Sequence, residues 1–159
     1  VLPEEVRGSR WLALIFEPDE QLSITTPDDP NKASFHIQVI VIYRTLILAT
    51  AQGTEAPNGL IVDLRKASAD GSIDFELDLQ NTGNVYYRAT GWLDIRNDLG
   101  ESVATLLMDR SFLLPEQTLT ISFSDETLVL PPGNYLALAV VDFGGDHLIA
   151  GQLTFAVDE

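Results

Sequence analysis

Ser72-Ile73-Asp74-Phe75-Glu76-Leu77-Asp78-Leu79-Gln80 alternates apolar and polar side chains without a break. In an extended chain, successive side chains point to opposite faces. Ile73, Phe75, Leu77 and Leu79 therefore line one face, and Asp74, Glu76, Asp78 and Gln80 line the other. This is the pattern of a strand with one buried and one wet face. Leu119-Thr120-Ile121-Ser122-Phe123-Ser124 repeats it. Turn signals punctuate the chain between such runs: Asn81-Thr82-Gly83-Asn84, Asn97-Asp98-Leu99-Gly100, Pro131-Pro132-Gly133-Asn134 and Gly144-Gly145-Asp146. No segment of helical length carries an i, i+3, i+4, i+7 apolar stripe.

From residue 58 the pattern predicts seven strands, over 59–66, 72–80, 85–96, 101–108, 118–124, 134–143 and 147–157. Seven strands in about 100 residues is the size of an immunoglobulin-like sandwich. Leu130-Pro131-Pro132-Gly133-Asn134-Tyr135 places a tyrosine at the start of the sixth strand, directly after a turn. The hydroxyl of such a tyrosine bonds backward to main chain and pins the corner. The expected fold class is all-β, an immunoglobulin-like antiparallel β-sandwich preceded by a small, incomplete β-segment. The expected division is 1–55 for that segment, or a strand-exchange segment, and 56–159 for the sandwich. In the first piece, Trp11–Phe16, Gln21–Thr26 and the very long Phe35–Thr50 read as strands. Three or four strands cannot close a sandwich, so open edges and apolar faces remain for the second domain or a partner chain.

Composition narrows the function classes. The 159 residues hold 9 Lys+Arg and 24 Asp+Glu, and 9 − 24 gives a net charge of −15. Such a surface repels phosphate backbones, so no nucleic-acid partner is expected. Cysteine is absent, which removes disulfides, zinc ribbons and thiol nucleophiles. The apolar share of 45% is that of a folded chain rather than a disordered one. The apolar run Val39-Ile40-Val41-Ile42-Tyr43, continued after Arg44-Thr45 by Leu46-Ile47-Leu48-Ala49, and every other apolar run fall short of the ~18 residues of a membrane helix, so no membrane insertion is expected. The chain begins at Val1 without a signal-peptide pattern, as expected of a processed or excised piece. Fourteen Asp against two Lys suits either an acidic secreted domain or a protein adapted to high salt.

Phe35-His36-Ile37-Gln38-Val39-Ile40-Val41-Ile42-Tyr43-Arg44 resembles the last strand of the first domain in two-domain periplasmic pilus chaperones, the PapD-like proteins. There a long apolar strand ends in an aromatic-Arg pair and leads into a second immunoglobulin-like domain. The run from Asn81-Thr82-Gly83-Asn84 through Gly91, Gly100, Leu114-Pro115 and Pro132-Gly133-Asn134-Tyr135 to Asp142-Phe143-Gly144-Gly145 is similar to secreted bacterial immunoglobulin-like domains. The resemblance implies a periplasmic or extracellular bacterial protein that works in pilus-type assembly and binds protein partners without catalysis.

The residues also point to a face. With Tyr135 inward, parity puts Ala137, Ala139, Val141 and Phe143 inward and Leu136, Leu138 and Val140 outward. On the third strand Val85, Tyr87, Ala89, Gly91, Leu93 and Ile95 suit the core. Tyr86, Arg88, Thr90, Trp92, Asp94 and Arg96 then face out. Tyr86, Arg88, Trp92, Leu136, Leu138 and Val140 are the expected partner-binding residues, since exposed apolar patches mark interfaces and Trp, Tyr and Arg are enriched there. That face is expected to be poor in acid. Its occupant is a segment of the same chain, a twin subunit in a homodimer, or a foreign protein partner. Val39 and Val41 are a second candidate, on a strand that is either central and buried or open to strand addition.

Other motifs carry less. Asp142-Phe143-Gly144 copies a kinase tripeptide without its companions and reads as a hairpin turn. His36 and His147 stand apart and no Gly-x-Ser-x-Gly occurs, so no catalytic residue is expected. Asp28-Asp29, Asn97-Asp98 with Glu101, and Asp142 with Asp146 are carboxylate clusters of the kind that bind Ca²⁺, but none has the EF-hand spacing. They read as solvated turns, and Asp74, Glu76 and Asp78 as a wet strand face, so no metal and no cofactor is expected. The leading function is a non-enzymatic interaction or assembly protein. The alternatives are a structural adhesin or surface-stalk module, and a carbohydrate-binding accessory domain of a secreted enzyme using Trp92 and Tyr86.

Overall fold

The computed structural model describes residues 5–17, 22–25, 36–39, 41–67 and 73–158, with the backbone alone for 22–25 and 36–39. Every regular element among them is a strand: β1 Gly8–Phe16, β2 Leu22–Thr25, β3 His36–Val39, β4 Tyr43–Ala51, β5 Gly59–Ala67, β6 Asp74–Asn81, β7 Tyr87–Arg96, β8 Ser102–Leu113, β9 Thr118–Phe123, β10 Gly133–Asp142 and β11 Ile149–Val157. The chain forms two compact units. One takes the residues up to Ser9 and from Thr50 onward, and the other takes Arg10–Ala49.

The larger unit has a three-stranded sheet in the order β5-β6-β9 and a four-stranded sheet in the order β11-β10-β7-β8. Every strand pair in the two sheets is antiparallel. The alternation of β6 does what parity requires: Phe75, Leu77 and Leu79 are fully buried. Ile121 and Phe123 of β9 join them from the same sheet. Ala89, Leu93 and Ile95 of β7 and Ala137, Ala139 and Val141 of β10 join from the other, in one continuous core. Removing a buried Phe or Leu side chain from such a core costs about 2–5 kcal/mol.

Turn chemistry sets the connections. Between β7 and β8 the side-chain oxygen of Asn97 accepts from the amides of Leu99 and Glu101, at 3.1 and 2.9 Å. Gly100 takes the left-handed conformation the turn needs, at φ 80°. Asn81, fully buried, ties together the two crossovers between sheets. Its Nδ2 donates to the carbonyls of Val85 and Leu113, its Oδ1 accepts from Gly83 N, and its backbone bonds Glu116 and Gln117.

The expected tyrosine corner is present. The Tyr135 hydroxyl donates to the Pro131 carbonyl at 2.8 Å, and its ring stacks on Phe155 at 5.5 Å between centroids. Phe155 meets the edge of Phe75 at 5.1 Å, so the corner joins the two sheets. Away from that corner, Tyr87 packs on Phe143 at 5.6 Å. Burial pushes the Tyr87 phenol up to about 12.

The structure differs from the sequence expectation in two places. β8 runs on to Leu113 rather than ending near 108. Asp109-Arg110 break the alternation, but the register jumps there, from Gly91↔Met108 to Ala89↔Ser111, and the extra residue restores parity. Phe112 then lies outward across from Arg88, and Leu113 is buried. The expected long strand over 35–50 is two strands. β3 pairs with β2 and β4 with β1, and Val41 and Ile42 lie between them. No Gly or Pro marks this break; two different pairing partners make it. Val41 and Ile42 are exposed rather than buried.

Candidate interaction surfaces

Strand register builds the outer face of the four-stranded sheet row by row. Val140 of β10 pairs with Trp92 of β7 and with Ala150 of β11, and Trp92 pairs with Leu107 of β8. An apolar row thus crosses all four strands. Trp92 is 39% exposed and Leu107 81%. The next row is Gln152, Leu138, Asp94 and Thr105, and the one after is Thr154, Leu136, Arg96 and Ser102. Leu136, Leu138 and Val140 are half-buried. Arg88 lies near the start of β7, and Tyr86 directly precedes the strand. Tyr86 is half-buried against Phe112, at 5.6 Å between ring centroids, and Arg88 is exposed. The expected residues therefore split, with Trp92 and Val140 in one row and Tyr86 and Arg88 beside Phe112. Val41 belongs to the other unit, as does Val39, whose side chain lies outside the described residues.

Asp94 lies in the outward row, as parity expects, yet it is not open to solvent. It is buried, accepting from Ser102 Oγ and, at 2.7 Å, from Arg96 Nε. These bonds, the serine's first, hold its carboxyl below the usual carboxylate range. Arg96 is committed to this pair rather than free for a partner.

The outer face of β5 and β6 is an ion-pair cluster. Cross-strand register puts Arg65 opposite Glu76, with Asp63 and Asp78 adjacent. The guanidinium donates to Glu76 at 2.9 Å, to Asp78 at 2.6 Å and to Asp63 at 3.2 Å. Thr120 Oγ1 donates to Asp78 at 2.6 Å. The Asp78 carboxyl is lowered, chiefly by Arg65 and then by Thr120. This arrangement sets one guanidinium among three carboxylates. The turn clusters are similarly occupied. Glu101 accepts from Asn97 Nδ2 at 3.0 Å, and Asp142 accepts from Gly144 N at 2.8 Å. Asp28-Asp29 lie outside the described residues. The His147 ring stands edge-on to Phe143 at 5.3 Å, and the side chain of His36 lies outside the described residues.

Among the described residues, the smaller unit carries a concentrated set of exposed apolar side chains. β1 and β4 form a two-stranded sheet. Trp11, Leu12, Ile15 and Phe16 on β1 and Tyr43, Leu46 and Ile47 on β4 are 42–65% exposed. Adjacent residues such as Leu12-Ala13-Leu14-Ile15-Phe16 point to opposite faces, so both faces of the ribbon are apolar. Neither strand contains an Asp or Glu. β2, β3, β9 and β11 also lack acid, so exposure rather than composition marks the ribbon. Among the described residues no helix is long and apolar enough to cross a membrane.

The chain matches no family model and no curated protein.

Proposed function

We propose that this chain is a non-enzymatic protein-interaction or assembly module, with an immunoglobulin-like sandwich as its scaffold and an apolar β-surface as its binding element. The observation that carries this reading is the β1–β4 ribbon, with seven large apolar side chains 42–65% exposed on two paired strands. A monomer seldom leaves so much contiguous apolar surface in water. An isolated two-stranded ribbon is also only marginally stable, and added strands or a covering face supply what it lacks. The second element is the row Ala150, Val140, Trp92 and Leu107 on the sandwich.

The buried polar groups support a non-catalytic role, because they are spent on the fold. Asn81 holds the crossovers, Asp94 holds Ser102 and Arg96, and Tyr135 holds its corner. The resemblance of 35–44 and 81–145 to pilus-chaperone-type and secreted immunoglobulin-like domains supports a periplasmic or extracellular bacterial setting. The exposed Trp92 indole favours a second reading, a glycan platform.

The test uses a synthetic peptide with the sequence of Tyr43–Ala51 as a strand probe, titrated calorimetrically into the full chain. Binding that falls at least about tenfold in Phe16→Glu, with Trp92→Glu unaffected, supports strand addition at the ribbon; tenfold is the worth of about 1.4 kcal/mol. A wild-type protein that stays monomeric and binds no strand probe sinks the reading. Oligosaccharide binding abolished by Trp92→Ala would establish the second one instead.

A further inference from the structure

Two distant stretches of chain meet at the β6–β7 turn. Ser9 N donates to the Asn84 carbonyl at 2.7 Å. Ala56 N donates to Asn84 Oδ1 at 2.8 Å, Asn84 Nδ2 donates to the Thr54 carbonyl at 2.9 Å, and Asn84 N donates to the Ala56 carbonyl at 3.2 Å. All four hydrogen-bonding groups of one asparagine are therefore engaged, one with residue 9 and three with residues 54–56. The two stretches are also bonded to each other. Gly8 N donates to Thr54 Oγ1 at 2.8 Å, and the Ser9 and Thr50 hydroxyls share a bond at 2.9 Å. Thr54 Oγ1 in turn donates to the Ala51 carbonyl at 2.8 Å.

Space is as tight as the bonding. Gly8 has φ +69°, and a Cβ there would stand 2.1 Å from the Asn84 carbonyl oxygen. Only glycine allows this approach of backbone to backbone. Ser9 is 3% exposed. The turn itself is rigid, because Thr82 and Gly83 both donate to the Asn58 carbonyl at 3.1 Å and Gly83 also donates to Asn81 Oδ1.

Residues 9 and 50 are the two ends of the excursion that carries Arg10–Ala49. We propose that Asn84 is the positioning residue of a clamp that closes both ends of this excursion onto the β6–β7 turn as one cooperative unit, so that neither end opens without the other. The clamp makes the short stretch before Arg10 part of the sandwich unit, although some 40 residues separate it from Thr50. The device is independent of what the ribbon binds.

Amide hydrogen exchange on the full-length chain tests this through reciprocity. Asn84→Ala removes the bonds to Ala56 N and Thr54 O but leaves the carbonyl that receives Ser9 N. Ser9→Ala removes the hydroxyl that bonds Thr50 Oγ1 and accepts from Tyr86 N, which loosens the residue 9 end and puts no new atom against the Asn84 side chain. A cooperative clamp predicts that each variant speeds exchange at both the residue 9 and Ala56 amides by at least about tenfold, the upper end of one net hydrogen bond. The Ala137 and Ala139 amides of β10 stay unchanged. If each variant speeds only its own contact, or neither, the two attachments are independent and the clamp is wrong. An equal acceleration at Ala137 and Ala139 also overturns it, because the effect is then global stability. Should Asn84→Ala fail to fold, Ser9→Ala decides alone by whether the Ala56 amide follows that of residue 9.

Discussion

β6 and β1 are of similar length, eight and nine residues, yet they end up in opposite states. Along β6 every second side chain is buried, Phe75, Leu77 and Leu79 completely. Along β1 the residues from Trp11 to Phe16 are exposed or half-exposed, whether their positions are odd or even. The difference lies in pattern. β6 alternates, so a single opposing sheet can bury its whole apolar set while its carboxylates stay wet. β1 is apolar at consecutive positions, so nothing short of cover on both faces can bury it. A strand of the first kind completes a domain; a strand of the second kind requires more structure than a two-stranded ribbon supplies.

Substitutions break this comparison most strongly where burial is complete. Phe75→Ala should cost about 3–5 kcal/mol in denaturant unfolding, whereas Phe16→Ala should stay within about 0.5 kcal/mol in the isolated chain. Equal losses at the two sites would mean that the ribbon is packed as tightly as the sandwich. Next comes Asn81→Ala. It leaves the Val85 and Leu113 carbonyls without their side-chain donor and should cost about 1–3 kcal/mol, with the loss confined to the sandwich transition. Tyr135→Phe deletes one bond to Pro131 and keeps the ring on Phe155, so a loss near 1 kcal/mol is expected; no loss would show that stacking alone holds the corner.

The smallest effect is a pH dependence. The Asp94 carboxyl is lowered in the folded state, first by Ser102. A group whose folded pKa lies below its unfolded value stabilises fully above the unfolded value, near 3.9 for aspartate. That contribution is lost as pH falls through the folded value. Below about pH 4, then, the wild type should lose stability more steeply than Asp94→Asn, measured as denaturation midpoint against pH. Identical slopes would remove Asp94 from the fold's acid sensitivity.

Much of the sandwich could be read directly. Period two located β5, β6, β7, β9, β10 and β11 to within a few residues, and the tyrosine after Pro131-Pro132-Gly133-Asn134 foretold its own hydrogen bond. Three features escaped for separate physical reasons. The end of β8 hides behind a bulge, where Asp109-Arg110 interrupt alternation without ending the strand. Asp94 obeys outward parity, but Ser102 and Arg96 close over it, and cross-strand partners are invisible until register is known. The run through Val41-Ile42 is apolar throughout, so nothing local shows that pairing partners change there. Parity placed Trp92 and Val140 on one face. Joining them to Leu107 and Ala150 needed the pairing of four strands. Composition did not single out the ribbon, because β9 and β11 lack acid as β1 and β4 do; the exposure of Trp11, Phe16 and Tyr43 sets it apart.

Residue-resolved amide exchange on the monomeric full-length chain tests most directly whether the sandwich is complete and the ribbon waits for a partner. Leu77, Leu93 and Ala139 should exchange only through global unfolding, while Leu12–Phe16 and Leu46–Ala49 should exchange orders of magnitude faster. Ribbon amides as slow as those of Leu77 in the isolated monomer would contradict this, because the ribbon would then need nothing else to hold it.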